Sequence, residues 1–365
     1  MKTRDEILQE ALEVTCSNYR CTIAATMGIG KTLLGLLTME KELQKNGNSH
    51  FLVVIPKLVL KTTWKEESIK HKLEHVFKYV SFTTYRSLSK IELDYDMIVL
   101  DECHNLLYSH DPVLSKFKNK IVGLTGTPPK IPKSEKGIMV NAYCPVKYTY
   151  VTDEAIDDAI LNDYKIYIHS LDLESKDKTI DVTIKDKTFY TTELATYKYW
   201  SNRIDMDEVN MNFKRLQIDR IMRMKALQTF KSKENYARIL ITKINEKCLI
   251  FANTKEQADR ICSVSYYSGN PNSETNLNNF INGSEQVLSS VQQLKEGVNI
   301  PNLKNIIILH SYSNERQFSQ KLGRVLRLAK DEIASVHLLM YRNTVDVEWV
   351  AKAISGFDKE KIIYL

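Results

Sequence analysis

The chain has 365 residues, which is enough for about two domains of ordinary size. Apolar residues make up 43% of it and charged residues 26%, as is typical of a soluble globular protein. No uncharged apolar run approaches the roughly 18 residues that a membrane span requires, so the composition excludes a membrane-spanning chain. The net charge of +6 permits an anionic partner without demonstrating one.

The N-terminus and the cysteines predict an intracellular protein. Met1–Glu6 contains acidic residues and opens a helical pattern, so we expect no signal peptide. The cysteines form no CxxC pair and no evident disulfide framework, which favours a reducing, cytoplasmic setting. They are Cys16, Cys21, Cys103, Cys144, Cys248 and Cys262.

An amphipathic helix is predicted over residues 3–14. Its apolar face consists of Ile7, Leu8, Ala11 and Leu12. Arg4 and Gln9, on the other side, are candidates for contacts to an adenine ring. The alternative, which the pattern favours, is that they belong to an ordinary polar helix face.

A glycine-bearing turn between a strand and a helix comes next. The apolar run 21–24 leads into it, and a helix-prone run over 33–44 follows. The turn consists of Ala25, Thr26, Met27, Gly28, Ile29, Gly30, Lys31 and Thr32. This order describes a phosphate-binding P-loop, although the usual first residue is Gly where this chain has Ala25. A surface turn that happens to contain Gly-Lys-Thr would not explain the flanking strand and helix.

Each part of the P-loop has a chemical task. Gly28 and Gly30 let backbone N–H groups curl around an anion, and the helix N-terminus adds partial positive charge. Lys31 would reach the β- and γ-phosphates of a nucleotide, and the Thr32 hydroxyl would bind Mg²⁺.

Further apolar runs predict the strands of a parallel sheet. They cover residues 51–56, 79–82, 97–100 and 121–124. The first is continuously apolar, like a strand buried on both faces. Helical stretches separate the runs and polar residues follow them, as in a doubly wound sheet that binds ligands at the carboxyl ends of its strands. We therefore predict a first α/β domain over residues 1–148.

Two acidic residues follow the run 97–100. Asp101 would hold the magnesium ion, directly or through water, and Glu102 would activate the attacking water as a general base. An Asp-Glu-x-His sequence alone is common by chance. Its position at a strand end, downstream of a P-loop, is what makes it informative.

Residues 149–246 are less regular and predict a connecting or inserted segment. Alternating apolar residues over 180–184 indicate a small strand or hairpin. Aromatic residues crowd together over 190–200, before a basic helical stretch over 213–233. Packing of the inserted segment is the favoured explanation of the aromatic residues, and stacking on nucleic-acid bases is the alternative.

The alternation of strands and helices then resumes and predicts a second α/β domain over residues 247–345, followed by a tail over 346–365. The strand-like runs are Cys248–Phe251, Val264–Tyr267, Gln286–Ser290, Ile306–Leu309 and Val336–Met340. The two halves are similar in plan, not in sequence.

A third group of candidate residues lies in Gln320–Arg327. Arg324 and Arg327 are three residues apart and so lie on one helix face. Both guanidinium groups could point at one phosphate chain, and an arginine finger is worth roughly 10³–10⁵ in turnover. The alternative is an ordinary basic amphipathic helix.

With these motifs in this order, nearly the whole chain resembles the superfamily 2 helicases and translocases. Ala25–Thr32 matches motif I, Asp101–His104 matches motif II in its DExH form, and Gln320–Arg327 matches motif VI. Segments similar to motifs Ia, Ib, III, IV and V are Val54–Lys57, Phe82–Tyr85, Thr125–Thr127, Leu249–Thr254 and Glu296–Pro301.

The resemblance implies two tandem RecA-like domains with ATP bound between them. It implies nucleotide contacts from Gly297 and Asn299, and catalytic roles for Gln320, Arg324 and Arg327. Contacts to a nucleic-acid backbone, which carry no sequence information, are implied for Pro56, Lys57, Thr83, Thr84, Tyr85, Asn253, Thr254 and Ser290. The residues implied to couple this track to the nucleotide are His104, Thr125, Gly126 and Thr127.

The form of the motifs favours DNA over RNA as the substrate. The motif VI form QxxGRxxR is similar to that of restriction-enzyme motor subunits, XPB-like proteins and phage UvsW-type helicases, whereas the DEAD-box branch usually has histidine in place of Gln320. The resemblance therefore implies an ATP- and Mg²⁺-dependent DNA helicase or translocase that remodels forks or junctions in repair or recombination. The alternatives are an RNA helicase, a double-strand translocase without unwinding, and a clamp that does not hydrolyse ATP.

We expect a monomer with no membrane partner.

Overall fold

The computed structural model describes residues 1–26, 28–92, 94–184, 187–291, 300–310 and 332–365. The chain divides into two compact units, Met1–Leu161 and Asn162–Leu365, which we call unit 1 and unit 2. Among the described residues, no helix is both long enough and apolar enough to cross a membrane.

Unit 1 is a parallel sheet with helices between its strands. The strands are β1 (Arg20–Ala25), β2 (Phe51–Ile55), β3 (Val80–Thr84), β4 (Met97–Asp101), β5 (Lys120–Thr125) and β6 (Val146–Tyr150). The helices are α1 (Arg4–Ser17), α2 (Lys31–Lys45), α3 (Leu60–Lys70), α4 (Glu74–Phe77), α5 (Tyr85–Leu88), α6 (Asp111–Leu114), α7 (Glu135–Tyr143) and α8 (Thr152–Asp157).

The strands of unit 1 are ordered β3-β2-β4-β5-β1-β6, and every neighbouring pair is parallel. All residues of β2 and β5 are buried, which explains their nearly unbroken apolar sequences. Both the α/β class and the parallel sheet predicted for this half are confirmed.

Unit 1 extends beyond the predicted boundary at residue 148. That boundary falls inside β6, which pairs with β1 at the edge of the sheet. The short helix α8 follows and belongs to the same unit, which ends at Leu161. Half-buried and exposed residues alternate along β6, as is typical of an edge strand, and this strand was not predicted.

Unit 2 contains a second parallel sheet. Its strands are ordered β11-β12-β10-β13-β14-β7-β15, with every neighbouring pair parallel. These strands are β7 (Tyr164–Leu171), β10 (Cys248–Ala252), β11 (Ser265–Tyr266), β12 (Val287–Val291), β13 (Asn305–Ile308), β14 (Ala334–Tyr341) and β15 (Ile362–Tyr364). A separate hairpin is formed by β8 (Ile180–Ile184) and β9 (Lys187–Thr191), as predicted.

The helices of unit 2 include a pair that is inserted before the second run of strands. The described helices of unit 2 are α9 (Glu193–Val209), α10 (Phe213–Thr229), α11 (Lys231–Ile244), α12 (Lys255–Ile261), α13 (Ser273–Asn282) and α14 (Asp346–Ala353). Helices α9 and α10 pack on each other and lie within the region predicted as a connecting segment. The segments predicted as connector and tail also supply two strands, because β7 pairs with β14 and β15 pairs with β7.

The aromatic residues of α9 differ in burial, since Tyr197 is buried whereas Tyr199 is 52% exposed. Tyr197 is buried in a cluster with Leu227 and Phe230, and its hydroxyl accepts a hydrogen bond from Val345 N at 2.9 Å. Trp200 and Tyr199 flank the Arg203 guanidinium. The packing explanation therefore accounts for Tyr197.

A buried ion pair fastens α11 to the end of the second sheet. Lys233 Nζ pairs with the carboxylate of Asp346, and both side chains are fully buried. Burial lowers the pKa of the Lys233 ammonium, while the neighbouring Asp346 opposes this by stabilising the charge. The same carboxylate accepts a hydrogen bond from Tyr341 N at 3.0 Å, so it joins α14, β14 and α11.

Replacing Lys233 is expected to destabilise unit 2. Lys233→Met leaves the Asp346 carboxylate buried without its cation, and breaking such a pair costs about 3–5 kcal/mol. Urea unfolding followed by circular dichroism measures the change. Lys231→Met, at an exposed position of the same helix, is the matched control. Equal unfolding midpoints for the two variants would contradict this prediction.

Candidate functional site

The predicted P-loop lies between β1 and α2 at the carboxyl end of the sheet in unit 1. Gly28 has a φ of +95° and Gly30 a φ of +90°, so both occupy the left-handed region that a side chain disfavours. Gly30 is also the residue before the first turn of α2, which is 15 residues long. This backbone directs the helix N-terminus toward the loop, as anion binding requires.

The Lys31 side chain folds back across the loop. Its Nζ donates hydrogen bonds to the carbonyl oxygens of Ala25 at 2.9 Å and Thr26 at 3.1 Å. Gly126, in the loop after β5, lies close beside it, because a Cβ on Gly126 would be 3.4 Å from Lys31 Nζ. The segment predicted as motif III therefore lies directly against the P-loop lysine.

Asp101 is the last residue of β4, and two buried aromatic side chains contact it. The indole Nε1 of Trp64 donates to Asp101 Oδ2 at 3.1 Å. The Tyr85 hydroxyl donates to the Asp101 carbonyl oxygen at 2.8 Å. Burial raises the pKa of Tyr85 well above its ordinary value, so this hydroxyl stays protonated as a donor.

Glu102 and His104 are connected to β5 through one hydroxyl group. Thr125 Oγ1 donates to Glu102 Oε2 at 3.3 Å and is hydrogen bonded to His104 Nδ1 at 2.7 Å. Thr127 N donates to the same hydroxyl at 3.1 Å. Glu102 has a φ of +55°, a conformation that costs a residue other than glycine about 1–3 kcal/mol. The structure thus brings together the residues predicted to act as base and coupling group.

Two predicted ligands fit a magnesium ion. The Thr32 hydroxyl and the Asp101 carboxylate are hard oxygen donors, and Mg²⁺ commonly takes one or two such protein ligands together with phosphate and water oxygens. Trp64 connects their surroundings: its Nε1 bonds to Asp101, and a Cβ on Gly35 in α2 would lie 2.5 Å from its Cη2. Asp101 and the first turns of α2 therefore lie on either side of one indole ring.

A segment that was not predicted from the sequence supports the P-loop from the other side. Thr26 N donates to the Tyr150 carbonyl oxygen at 2.9 Å, and the hydroxyl groups of Thr26 and Thr152 are 2.9 Å apart. Leu161 packs against Gly28, where a Cβ would lie 3.2 Å from its Cδ2. The alternating pattern of β6 was the available sequence signal for this segment.

The two candidate adenine contacts lie in different surroundings. The Arg4 guanidinium is next to the P-loop, because a Cβ on Gly30 would be 3.2 Å from its Nη2. Gln9 instead donates to Glu13 on its own helix at 3.3 Å. Arg4 is therefore beside the candidate nucleotide site, and Gln9 is engaged on the polar face of α1.

The candidate nucleic-acid contacts in unit 1 follow β2 and end β3. Lys57 is exposed, and Pro56 and Thr84 are half-buried. Thr83 and Tyr85 are buried, with exposed fractions of 4% and 7%. Since Tyr85 also bonds to Asp101, its position is that of a supporting residue, and a nucleic acid does not reach its side chain in this conformation.

The candidate contacts in unit 2 are organised by one buried glutamine. Gln257 Oε1 accepts a hydrogen bond from Asn253 N at 2.8 Å, and Thr254 Oγ1 accepts one from Gln257 N at 3.1 Å, which caps α12. Ser290 lies inside β12 with no exposed surface, so its predicted contact with nucleic acid does not fit this conformation. Strand β12 is paired on both sides, with β10 and β11, which encloses this residue.

Several predicted site residues lie outside the described residues. They are Met27, Gly297, Asn299, Gln320, Arg324 and Arg327.

A P-loop with an acidic pair and a Thr-Gly-Thr segment at the same edge of a parallel sheet defines a nucleotide-binding protein of the P-loop class. Comparison with known protein families gives two matches. Residues 4–130 match the model of the type III restriction enzyme res subunit, and residues 231–329 match that of the helicase conserved C-terminal domain. The chain belongs to the superfamily 2 helicases and translocases.

Similar proteins include a DNA 3'-5' translocase, XPB2, of Sulfurisphaera tokodaii. It is 25% identical over 373 residues, covering 92% of this chain and 81% of the relative. Two solved structures share the fold. A DNA-bound type ISP restriction-modification enzyme, LlaBIII, is 15% identical with a TM-score of 0.62, covering all of this chain, which spans 31% of that enzyme's chain. The Pyrococcus furiosus Hef helicase domain is 16% identical with a TM-score of 0.57, covering 94% of this chain and 97% of that domain.

Proposed function

We propose that this protein is an ATP- and Mg²⁺-dependent motor that moves on or remodels DNA. The observation that carries the proposal is the cluster at the carboxyl edge of the first sheet. There Lys31 lies beside Gly126, and Glu102 and His104 share the hydroxyl of Thr125. A phosphate-binding lysine, a general base and a coupling group are thus neighbours in one unit.

Lys31 and the backbone N–H groups at the start of α2 hold the β- and γ-phosphates. Thr32 and Asp101 offer oxygen ligands to Mg²⁺, which when bound offsets the charge that develops on the transferred phosphoryl group. Glu102 orients the attacking water and accepts its proton. His104 and Thr125 hold the Glu102 carboxylate, so the direction in which the base points depends on the position of β5.

The remaining parts of the cycle are assigned from the motifs. Gly297 and Asn299 contact the nucleotide, while Gln320, Arg324 and Arg327 act on its phosphates. Lys57 and Thr84 from unit 1, with Asn253 and Thr254 from unit 2, contact the nucleic-acid backbone. The two units would bind the nucleic-acid strand tightly in alternation, as ATP is bound and hydrolysed, and this alternation would give directional movement.

DNA is the favoured substrate for two reasons. The relative from Sulfurisphaera tokodaii is named as a DNA translocase, and Gln320 opens the motif VI segment where the DEAD-box branch usually has histidine. Remodelling of forks or junctions, in repair or recombination, is the proposed role. Movement on duplex DNA without unwinding is the second candidate, since this relative is named as a translocase.

An intracellular setting is also part of the proposal. All six cysteines are free thiols, as expected in a reducing compartment. A monomer remains the expected state.

Steady-state ATPase assays test the proposal. Rates are compared without nucleic acid and with single-stranded, duplex or branched DNA, or RNA. We expect the strongest stimulation by branched DNA, and a fall of about 100-fold or more in Lys31→Ala because a charge clamp on the phosphates is lost. Stimulation by RNA alone would move the protein to the RNA helicases. An unchanged rate in Lys31→Ala would contradict the proposal.

Thr125 provides a narrower prediction. Thr125→Val preserves shape in a buried strand but removes the hydroxyl shared by Glu102 and His104. A hydrogen bond to a charged group is worth about 1.5–3 kcal/mol, so the DNA-stimulated rate should fall about 10-fold or more while ATP affinity is retained. Thr149→Val, at an exposed position of β6, is the control. Full stimulation in Thr125→Val would remove the coupling role from this hydroxyl.

A further inference from the structure

We infer that Trp64 is a positioning residue for the metal-binding carboxylate of Asp101. The inference rests on the proposed function, which places Mg²⁺ at Asp101. Trp64 lies in α3, outside every motif segment that the resemblance identified, and only 1% of it is exposed. Its indole nitrogen donates to Asp101 Oδ2 at 3.1 Å. A donor fixed in this way sets the direction in which the carboxylate presents its oxygen atoms to an ion.

The protein makes room for this indole at a helix position where glycine is otherwise unfavourable. Gly35 lies inside α2, where alanine is the better helix former. A Cβ at this position would stand 2.5 Å from Trp64 Cη2 and 3.0 Å from Cζ3. Since the contact is with a ring enclosed in the core, a side chain on Gly35 would displace the indole. The position of the Trp64 indole therefore requires a residue without a Cβ at position 35.

A second aromatic ring also packs against the indole. Phe82 of β3 meets Trp64 edge to face, with ring centroids 6.2 Å apart at 69°. The indole therefore lies between α2 and β3, and its only polar atom points at Asp101. Packing alone would be satisfied by any ring of this size, whereas the donated hydrogen bond requires the N–H group.

This arrangement also gives Asp101 a link to the predicted nucleic-acid track. Helix α3 follows Pro56 and Lys57 within a few residues, and Tyr85, which bonds to the Asp101 carbonyl oxygen, follows Thr84. Asp101 is consequently held by one side chain after each of the two strands that carry the track. Trp64 acts on the carboxylate, and Tyr85 acts on the backbone.

The test removes the N–H group and keeps the ring. Trp64→3-benzothienylalanine, introduced at this single codon, replaces the nitrogen with sulfur in an otherwise similar ring. The same replacement at Trp349, in α14 of unit 2, is the matched control. Binding of Mn²⁺, used as the probe for Mg²⁺, is measured by electron paramagnetic resonance in the presence of a non-hydrolysable ATP analogue. No turnover is required, and the melting temperature reports on the fold.

We expect Mn²⁺ affinity to fall about 10-fold or more in the Trp64 variant, as is typical when a partner that orients a metal ligand is lost. Analogue binding in EDTA and the melting temperature should match those of the Trp349 control. Unchanged Mn²⁺ affinity in the Trp64 variant, with normal binding by the parent protein, would overturn the positioning role alone. Absence of analogue-dependent Mn²⁺ binding by the parent protein would overturn the proposed function as well.

Standard substitutions give a second test that does not need the unnatural residue. Gly35→Ala should weaken Mn²⁺ binding, because it displaces the indole. In a Trp64→Phe background the smaller ring removes the clash, so Gly35→Ala should cause no further loss. Equal and additive losses in both backgrounds would show that Gly35 acts independently of Trp64 and would contradict the inference.

Discussion

Parallel pairing brings the carboxyl ends of β1, β4 and β5 to one edge of the first sheet, and the candidate site depends on this constraint. Residues separated widely in sequence follow these strands: Lys31 after β1, Glu102 after β4 and Gly126 after β5. The strand order β4-β5-β1 places β5 between the other two. Thr125 and Gly126 can therefore contact Glu102 on one side and Lys31 on the other.

This constraint explains which parts of the site could be predicted from the sequence. The P-loop glycines and the acidic pair are local motifs whose spacing follows from the backbone, and they occur where expected. The contacts of Trp64 could not be predicted in this way, because Trp64 and Asp101 are 37 residues apart in sequence and are brought together by the pairing of β2 with β4. Tyr85 looked like part of a nucleic-acid track in sequence, but its hydroxyl bonds to the Asp101 backbone.

The limits on predicting the fold have a similar physical origin. Continuous apolar runs identified the central strands, since these are buried on both faces. The edge strands β6 and β15 expose one face or one side, so their patterns are weaker. The N-terminal strand of unit 2, β7, is separated in sequence from its partners β14 and β15. Strands that pair with partners far away in the sequence show little local sequence pattern. For this reason β7 was assigned to a connector and β15 to a tail.

In unit 2, buried polar groups hold α11 against the predicted motif IV segment and the last helix. Glu234 accepts two hydrogen bonds from Arg260 and one from Gln257, and Gln257 in turn fixes the backbone of Asn253. Lys233 and Asp346 do the same for α11 and α14. Adjacent residues of α11 thus connect the motif IV loop and the last helix, so a change at this helix N-terminus would affect both.

The central claim is that Glu102 is the base of an ATPase site, and it is tested most directly by separating binding from hydrolysis in one variant. Glu102→Gln keeps the size of the side chain and removes its basicity. Single-turnover assays should show ATP bound with parental affinity and hydrolysed about 10²–10⁴-fold more slowly, the usual contribution of a general base. Glu92→Gln, at an exposed position of unit 1, should behave like the parent protein. Hydrolysis at the parental rate by Glu102→Gln would contradict the account.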